Sequence, residues 1–157
     1  MNLNGKTLLF KFLQSQNLMT LATLGEHLWV SNVYFVCNEK FNLYFLSEPK
    51  SQHCLDIKSK PQVACAIADT RQKVVDKKIG VQLYGISSQV KNLSTIMWML
   101  KMWNKLNPGF ESIINLKNIQ SNKINGRIYK IEPTLIKFFN EELYGPEGFK
   151  LFNFGTK

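Results

Sequence analysis

The chain has 157 residues, of which 45% are hydrophobic and 20% charged, and 20 basic against 11 acidic side chains give a net charge of +9. This length suits one domain with its own buried core, and this composition excludes a disordered polyampholyte. No apolar run approaches the roughly 20 residues that cross a bilayer. Three cysteines without metal-ligand spacing argue against both a metal centre and a disulfide framework. We therefore predict a cytoplasmic domain with no bound metal and no membrane partner.

The basic charge raises nucleic-acid binding as one hypothesis. Only Arg71 and Arg127 are arginines, whereas proteins that bind bases and phosphates rely on the arginine fork. The lysines are scattered, and their densest cluster, residues 73–78, is predicted to be a loop. The scarcity of arginine and the scattered lysines therefore argue against nucleic-acid binding.

Hydrophobic periodicity predicts a mainly β protein with peripheral helices. A helical stripe covers residues 5–16, and further helices are predicted after Ser51 and over 92–107 and 110–116. About six strands are predicted at Leu18–Leu24, Leu28–Cys37, 42–48, Gln62–Ala68, 79–91 and Arg127–Asn140, with a short final strand at 149–154. The sum is a β-barrel in a single domain, 1–157: an N-terminal helix 5–16, a barrel over about 18–140 and a tail, 141–157.

Two of these elements carry more apolar surface than the core of one barrel is expected to bury. The run Gln62–Ala68 alternates Val, Cys and Ile with three alanines, which predicts burial on both faces. An alanine face also permits close approach by another strand, a subunit or a flat ligand. The methionine-rich stripe of helix 92–107 is typical of a core or of a dimer interface.

The segment 28–58 joins a β-hairpin to the start of a helix. Ser51 occupies the position of an N-cap, so the next three backbone N–H groups would be unpaired. These groups belong to Gln52, His53 and Cys54. Unpaired donors and the helix dipole attract a phosphate group, and Lys50 and His53 flank this point. His53 is either a phosphate ligand or a side chain that bonds only water. Cys54 is either a thiol whose pKa the helix dipole lowers or a buried structural thiol.

The chain resembles the flavin-binding split barrels related to pyridoxamine 5′-phosphate oxidase. The resemblance runs from about residue 18 to residue 90 and rests on MTLATLGEHLWVSNVYFVC, LYFLSE, KSQHCLDIKSKPQVACAIA and GVQLYG. Within that family the chain is most similar to a small bacterial branch with histidine in the phosphate turn. The resemblance implies a split β-barrel and a homodimer with two flavin mononucleotides (FMN) at the subunit interface.

The resemblance also implies which residues hold the cofactor. Those that line the isoalloxazine ring would be Asn32, Val33 and Tyr34, with Gln82 as a polar side chain from a later strand. Those that hold the ribityl phosphate would be Leu46, Ser47, Ser51, Gln52 and His53, with Lys50 beside them. No catalytic residue is assigned, since in a flavoenzyme the cofactor carries the hydride transfer.

Two departures from the family pattern affect function. Gln52 and His53 stand where the family usually has an arginine–lysine pair, which predicts weaker and pH-dependent phosphate binding. No arginine or histidine follows Arg127, whereas the true oxidases hold the substrate phosphate with both. The sequence therefore predicts a flavin-dependent oxidoreductase acting on another small, planar or quinone-like molecule. The alternatives are a flavin- or haem-binding module without turnover, and a basic nucleic-acid- or surface-binding protein.

Overall fold

A computed structural model of the chain describes residues 5–155. Within them the chain forms seven strands and five helices. In chain order these are α1 Gly5–Ser15, β1 Leu18–Leu24, β2 Leu28–Cys37, β3 Leu43–Ser47, α2 Gln52–Ser59, β4 Gln62–Ala68, β5 Ile79–Gln89, α3 Leu93–Leu106, α4 Leu116–Gln120, β6 Arg127–Asn140, α5 Glu141–Tyr144 and β7 Phe149–Asn153. None of these helices is both long and apolar enough to cross a bilayer.

Six of the strands close into an antiparallel barrel. They pair in the order β3-β2-β1-β4-β5-β6, and β6 returns to pair with β3. Strand β6 makes this closure possible because its 14 residues serve two partners along one edge. Residues Arg127–Ile131 pair with β3, and Leu135–Phe139 pair with β7. The predicted β-barrel with peripheral helices is confirmed.

A β-bulge lets β5 and β6 remain paired over their full length. The register shifts between Tyr84 and Gly85, and Gly85 lies opposite Pro133. A Cβ atom on Gly85 would lie within 2.2 Å of the backbone oxygen of Glu132, so only glycine fits here. The prediction that Pro133 occupies an edge or a bulge is confirmed, because proline cannot donate to a regular ladder.

The core has two parts, one inside the barrel and one beneath α3. The barrel interior is sealed by Leu9, Phe12 and Leu13 of α1. Helix α3 covers the outside of β2, β3 and β6, and its buried side chains are Met99, Leu100 and Trp103. The interpretation of the methionine-rich stripe as core is confirmed for these residues, while Met97 is 55% exposed and a dimer interface there stays a prediction.

The prediction of a helix over residues 110–116 is wrong. Residues 110–115 form turns, and α4 starts only at Leu116, where the Asn115 side chain accepts a hydrogen bond from the Asn118 amide. An asparagine cap of this kind sets the helix start more firmly than a weak apolar stripe does. Within one chain, strand β4 is buried on its inner face only, since its three alanines are exposed on the outside of the barrel, and burial of that outer face by a partner or a ligand stays a prediction.

Candidate functional site

The ring of His53 lies among three serine hydroxyls from separate parts of the chain. Its Nε2 atom is 2.6 Å from Ser47 Oγ, at the end of β3, and 3.2 Å from Ser51 Oγ. Its Nδ1 atom is 3.2 Å from Ser31 Oγ, in the middle of β2. The hairpin and the helix start therefore converge on one imidazole, which is held at both ring nitrogens.

The start of α2 offers fewer free donors than the sequence suggested. Ser51 is the N-cap residue, but its hydroxyl donates to the Glu48 carbonyl oxygen at 2.7 Å and makes no capping bond. The Cys54 amide donates to the Ser51 carbonyl oxygen at 3.1 Å, so the expectation that it is free is wrong. The backbone N–H groups of Gln52 and His53 have no acceptor within residues 5–155. Two amides, rather than three, can serve an anion here.

A buried carboxylate lies one helical turn after this point. Asp56 is 3% exposed and accepts hydrogen bonds from Thr23 Oγ1 at 2.8 Å and from Gln52 Nε2 at 2.7 Å. The Gln52 side chain is thereby committed to Asp56, and only its backbone remains available for a ligand. Burial lowers the pKa of His53 below its ordinary value, and the negative charge of Asp56 opposes that shift without reversing it.

The Thr23→Val variant is expected to unfold more easily by about 1–3 kcal/mol, because one oxygen of the buried Asp56 carboxylate loses its donor. Urea unfolding at neutral pH measures the change. Thr70→Val is the matched control, since Thr70 is exposed in a loop and should change stability by no more than about 0.5 kcal/mol. Equal stability of the two variants would show that the Thr23 hydroxyl does not support Asp56.

A groove on the outside of the barrel contains the other predicted polar residues. Thr20 Oγ1 donates to Asn32 Oδ1 at 2.9 Å, and the cross-strand register continues this row through Ala66 and Gln82 to Lys137. All five residues line a groove of about 650 Å³. The structure thus brings Asn32 and Gln82 to one surface, as the resemblance implied.

The remaining predicted site residues occupy four different environments. Val33 points into the barrel core, and Tyr34 is 51% exposed on the outer face, with its ring edge-on to Trp103 at 6.2 Å. Leu46 packs into the cluster under α3, and Lys50 is exposed beside the helix start. Tyr34 and Lys50 can face a ligand with their side chains. Val33 and Leu46 can face one only with their backbone groups.

Sequence reasoning missed Ser31, Thr23 and Asp56. Strand alternation places Ser31 on the same face as Val33, which was a usable signal for an inward-facing hydroxyl. The Thr23–Asp56 pair spans 33 positions, and no local pattern indicates it. Among residues 5–155, no group of three or more His, Cys, Asp or Glu side chains could hold a metal ion.

The three cysteines are reduced and buried, which confirms the structural interpretation of Cys54. Burial raises the pKa of the Cys37 and Cys65 thiols to about 12. Cys54 contacts the hydroxyl of Tyr129. The Cys37 and Cys65 thiols are not placed as nucleophiles, because a thiol with a raised pKa stays protonated at neutral pH.

Comparison with known proteins identifies the fold. No protein-family model and no curated protein sequence matches the chain. Among solved structures it is similar to HutZ, the haem storage protein from Vibrio cholerae, with a TM-score of 0.65, 17% identity and coverage of 83% of this chain and 91% of that one.

Two other solved structures are similar to the same extent. One is a haem-binding protein from Mycobacterium smegmatis, with a TM-score of 0.73, 13% identity and coverage of 98% and 60% of the two chains. The other is a candidate pyridoxamine 5′-phosphate oxidase from Listeria innocua, with a TM-score of 0.67, 13% identity and coverage of 86% and 98%. This chain therefore has the split-barrel fold of the proteins related to pyridoxamine 5′-phosphate oxidase.

Proposed function

We propose that this protein binds FMN as a homodimer and acts as a flavin-dependent oxidoreductase on a small molecule. The observation that carries the proposal is the convergence of Ser31, Ser47 and Ser51 on His53, at a helix start with two unpaired amides. Oriented hydroxyls, unpaired amides and a titratable imidazole together suit the terminal phosphate of a nucleotide.

The residues present fit a phosphate group under one condition. When His53 is protonated, both ring nitrogens donate to serine oxygens, which frees the Ser47 hydroxyl proton for an anion, while the Ser51 hydroxyl donates to the Glu48 carbonyl oxygen. The buried Asp56 carboxylate nearby repels an anion, so the imidazolium charge is needed to balance it. Lys50 adds a mobile charge from the solvent side.

The outer groove fits the flat ring of a flavin. Its volume of about 650 Å³ is ordinary for a small-molecule site. The exposed side of Ala66 gives a flat wall, and the amides of Asn32 and Gln82 can donate to and accept from the polar edge of the ring. Bound FMN would supply hydride transfer, while these side chains hold and orient it.

A second copy of the chain would complete the groove. The outer faces of β1, β2, β4 and β5 expose large apolar side chains beside the three alanines; among them are Leu18, Leu24, Val30, Tyr34, Tyr84 and Ile86. An apolar surface of this extent usually marks an interface. Pairing two such faces is self-complementary, which suits a two-fold dimer.

The substrate should differ from pyridoxamine phosphate. After Arg127 the sequence contains no arginine and no histidine, the pair with which the true oxidases hold the substrate phosphate. A small planar acceptor that stacks on the flavin needs no such clamp. Lys137 in the groove would favour an acceptor with a carbonyl or a negative charge.

Haem binding is the second candidate, because two proteins of the same fold are named for storing or binding haem. His53 is a poor axial ligand as it stands, since both its ring nitrogens lie within hydrogen-bond distance of serine hydroxyls. His27 is exposed at the turn between β1 and β2. An absorption spectrum of the purified protein separates the two candidates, because haem gives a Soret band and flavin gives its own two visible bands.

FMN is expected to bind about tenfold or more tightly than riboflavin, because the two ligands differ only in the phosphate that the His53 cluster would hold. One charge-assisted hydrogen bond stabilises a complex by about 1.5–3 kcal/mol. Quenching of flavin fluorescence during titration measures both affinities, and reduction of the bound FMN by NADPH or NADH tests turnover. Equal affinities would remove the phosphate site from the proposal, whereas binding without reduction would leave a flavin carrier.

A further inference from the structure

The loop between β4 and β5 ends in a turn that presents two valines to solvent. Val74 and Val75 are 92% and 90% exposed, more than any other large apolar side chain of residues 5–155. They are adjacent in the loop, and its residues Gln72 and Lys78 line the outer groove. We call residues 73–78 the valine turn.

The valine turn is held in one conformation by its own polar groups. The Lys78 ammonium donates to the carbonyl oxygens of Lys73 at 2.5 Å, Val74 at 2.6 Å and Asp76 at 2.8 Å. The Asp76 carboxylate accepts from the Lys73 amide at 2.7 Å, and the Asp76 amide donates back to the Lys73 carbonyl oxygen at 3.1 Å. These hydrogen bonds hold the turn in a conformation that keeps both valine side chains exposed to water.

The base of the turn is fixed to the barrel as well. The Gln72 side chain bonds both the amide and the carbonyl of Ile79, at 3.1 and 3.2 Å. The Lys78 amide donates to Glu141 Oε2 at 2.7 Å, and the Glu141 amide donates to the Lys78 carbonyl oxygen at 3.0 Å. A segment fixed in advance loses little conformational entropy when it binds.

Basic side chains outnumber acidic ones around the exposed valines, although the Asp76 carboxylate lies next to Val75. Residues 69–78 contain four basic and two acidic side chains, a charge of +2 within a chain of +9. Lys73 and Lys77 are exposed on either side of the valines. The Asp69 carboxylate is paired with Arg71 at 3.1 Å. An apolar tip between cations matches the surface of an acidic bilayer, where apolar groups enter the headgroup region and lysines meet lipid phosphates.

We propose that the valine turn docks this protein on acidic lipid surfaces. A protein partner is disfavoured because two side chains on a convex turn fall far short of the ~1,000 Å² that a specific interface buries. A bilayer accepts a protrusion of this shape without a matching groove. The inference does not rest on flavin binding. It also departs from the sequence prediction of no membrane partner, which tested only for membrane-spanning segments.

Sedimentation with lipid vesicles tests the proposal on the full chain. The wild-type protein should pellet with vesicles containing phosphatidylserine and remain in solution with pure phosphatidylcholine. Raising the ionic strength from about 0.01 to 0.15 M should weaken binding, since the Debye length falls from about 30 to about 8 Å. The V74S/V75S double variant should bind about tenfold or more weakly, because it loses the apolar groups that enter the headgroup region.

Two further variants make the test selective. Val75→Trp should bind more tightly than wild type, since tryptophan prefers the membrane interface. Phe110→Ser is the matched control, because Phe110 is an exposed apolar side chain of a different loop, and it should bind as wild type does. The proposal is overturned if wild type does not distinguish the two vesicle types or if V74S/V75S binds as tightly as wild type. It is also overturned if V74S/V75S changes the mass of the assembly in light scattering, because the turn would then be a contact between copies of the chain.

Discussion

Replacing Ala64 with arginine is expected to convert the proposed dimer into monomers and to abolish FMN binding while leaving the barrel folded. Ala64 points outward from β4 and lies between Ala22 and Tyr84 on the neighbouring strands. In a monomer the new side chain would extend into water. In a dimer joined through this face it would be buried without a partner, at a cost of several kcal/mol.

Light scattering should show a fall from twice the chain mass of 18.1 kDa to that mass itself. Ala64 does not line the outer groove, so loss of FMN would follow from loss of the partner and not from a direct clash. Ser59→Arg is the control, since it adds the same charge at an exposed end of α2. A dimeric Ala64→Arg variant with normal FMN affinity would show that the sheet face is not the interface.

The parts of the fold that were predictable are those with strong local signals. The bounds of β1, β2 and β6 match the sequence prediction residue for residue, because each strand is rich in apolar, β-branched or aromatic side chains and ends at a polar turn. Helix α3 begins within one residue of its predicted start, since Asn92 caps it by accepting a hydrogen bond from the Thr95 amide. Such local patterns predict element bounds well because the packing of the core favours the same elements.

The candidate site was predictable only in part, because its contacts join distant segments. The sequence indicates that His53 follows a turn, but it does not show that Ser31 lies 3.2 Å from that ring. It also gives no sign that the Thr23 hydroxyl lies 2.8 Å from the Asp56 carboxylate. The helix prediction over residues 110–116 is wrong for another reason: the apolar spacing resembles a helix, while Asn115 caps α4 and starts it at Leu116. Contacts between distant segments decided the first case, and a local cap decided the second.

Affinity for FMN is expected to fall as pH rises, because His53 is the switchable charge beside the proposed phosphate site. Burial lowers the pKa of His53 in the free protein, against the opposing charge of Asp56. A bound phosphate favours the imidazolium, so the complex has the higher pKa. The contribution of His53 to binding is therefore complete below the pKa of the free protein, under the ordinary 6.5, and is lost as pH rises through the pKa of the complex.

Two variants isolate this effect. His53→Lys should bind FMN about 10- to 100-fold more tightly than wild type in mildly alkaline buffer, because lysine keeps its charge up to about pH 10. His53→Gln should bind weakly at every pH, since it keeps a hydrogen-bonding group but carries no charge. The phosphate of free FMN also titrates, with a second pKa of about 6, and this titration is common to all three measurements.

Fluorescence titrations with FMN at several pH values and fixed ionic strength measure the three profiles, with riboflavin as the ligand that lacks the phosphate. The difference between the wild-type and His53→Gln profiles gives the contribution of the imidazolium alone. That difference should vanish at alkaline pH and reappear in acid, and with riboflavin it should be absent throughout. Superimposable FMN profiles for these two proteins would mean that His53 serves the hydroxyl cluster and α2 but does not touch the phosphate.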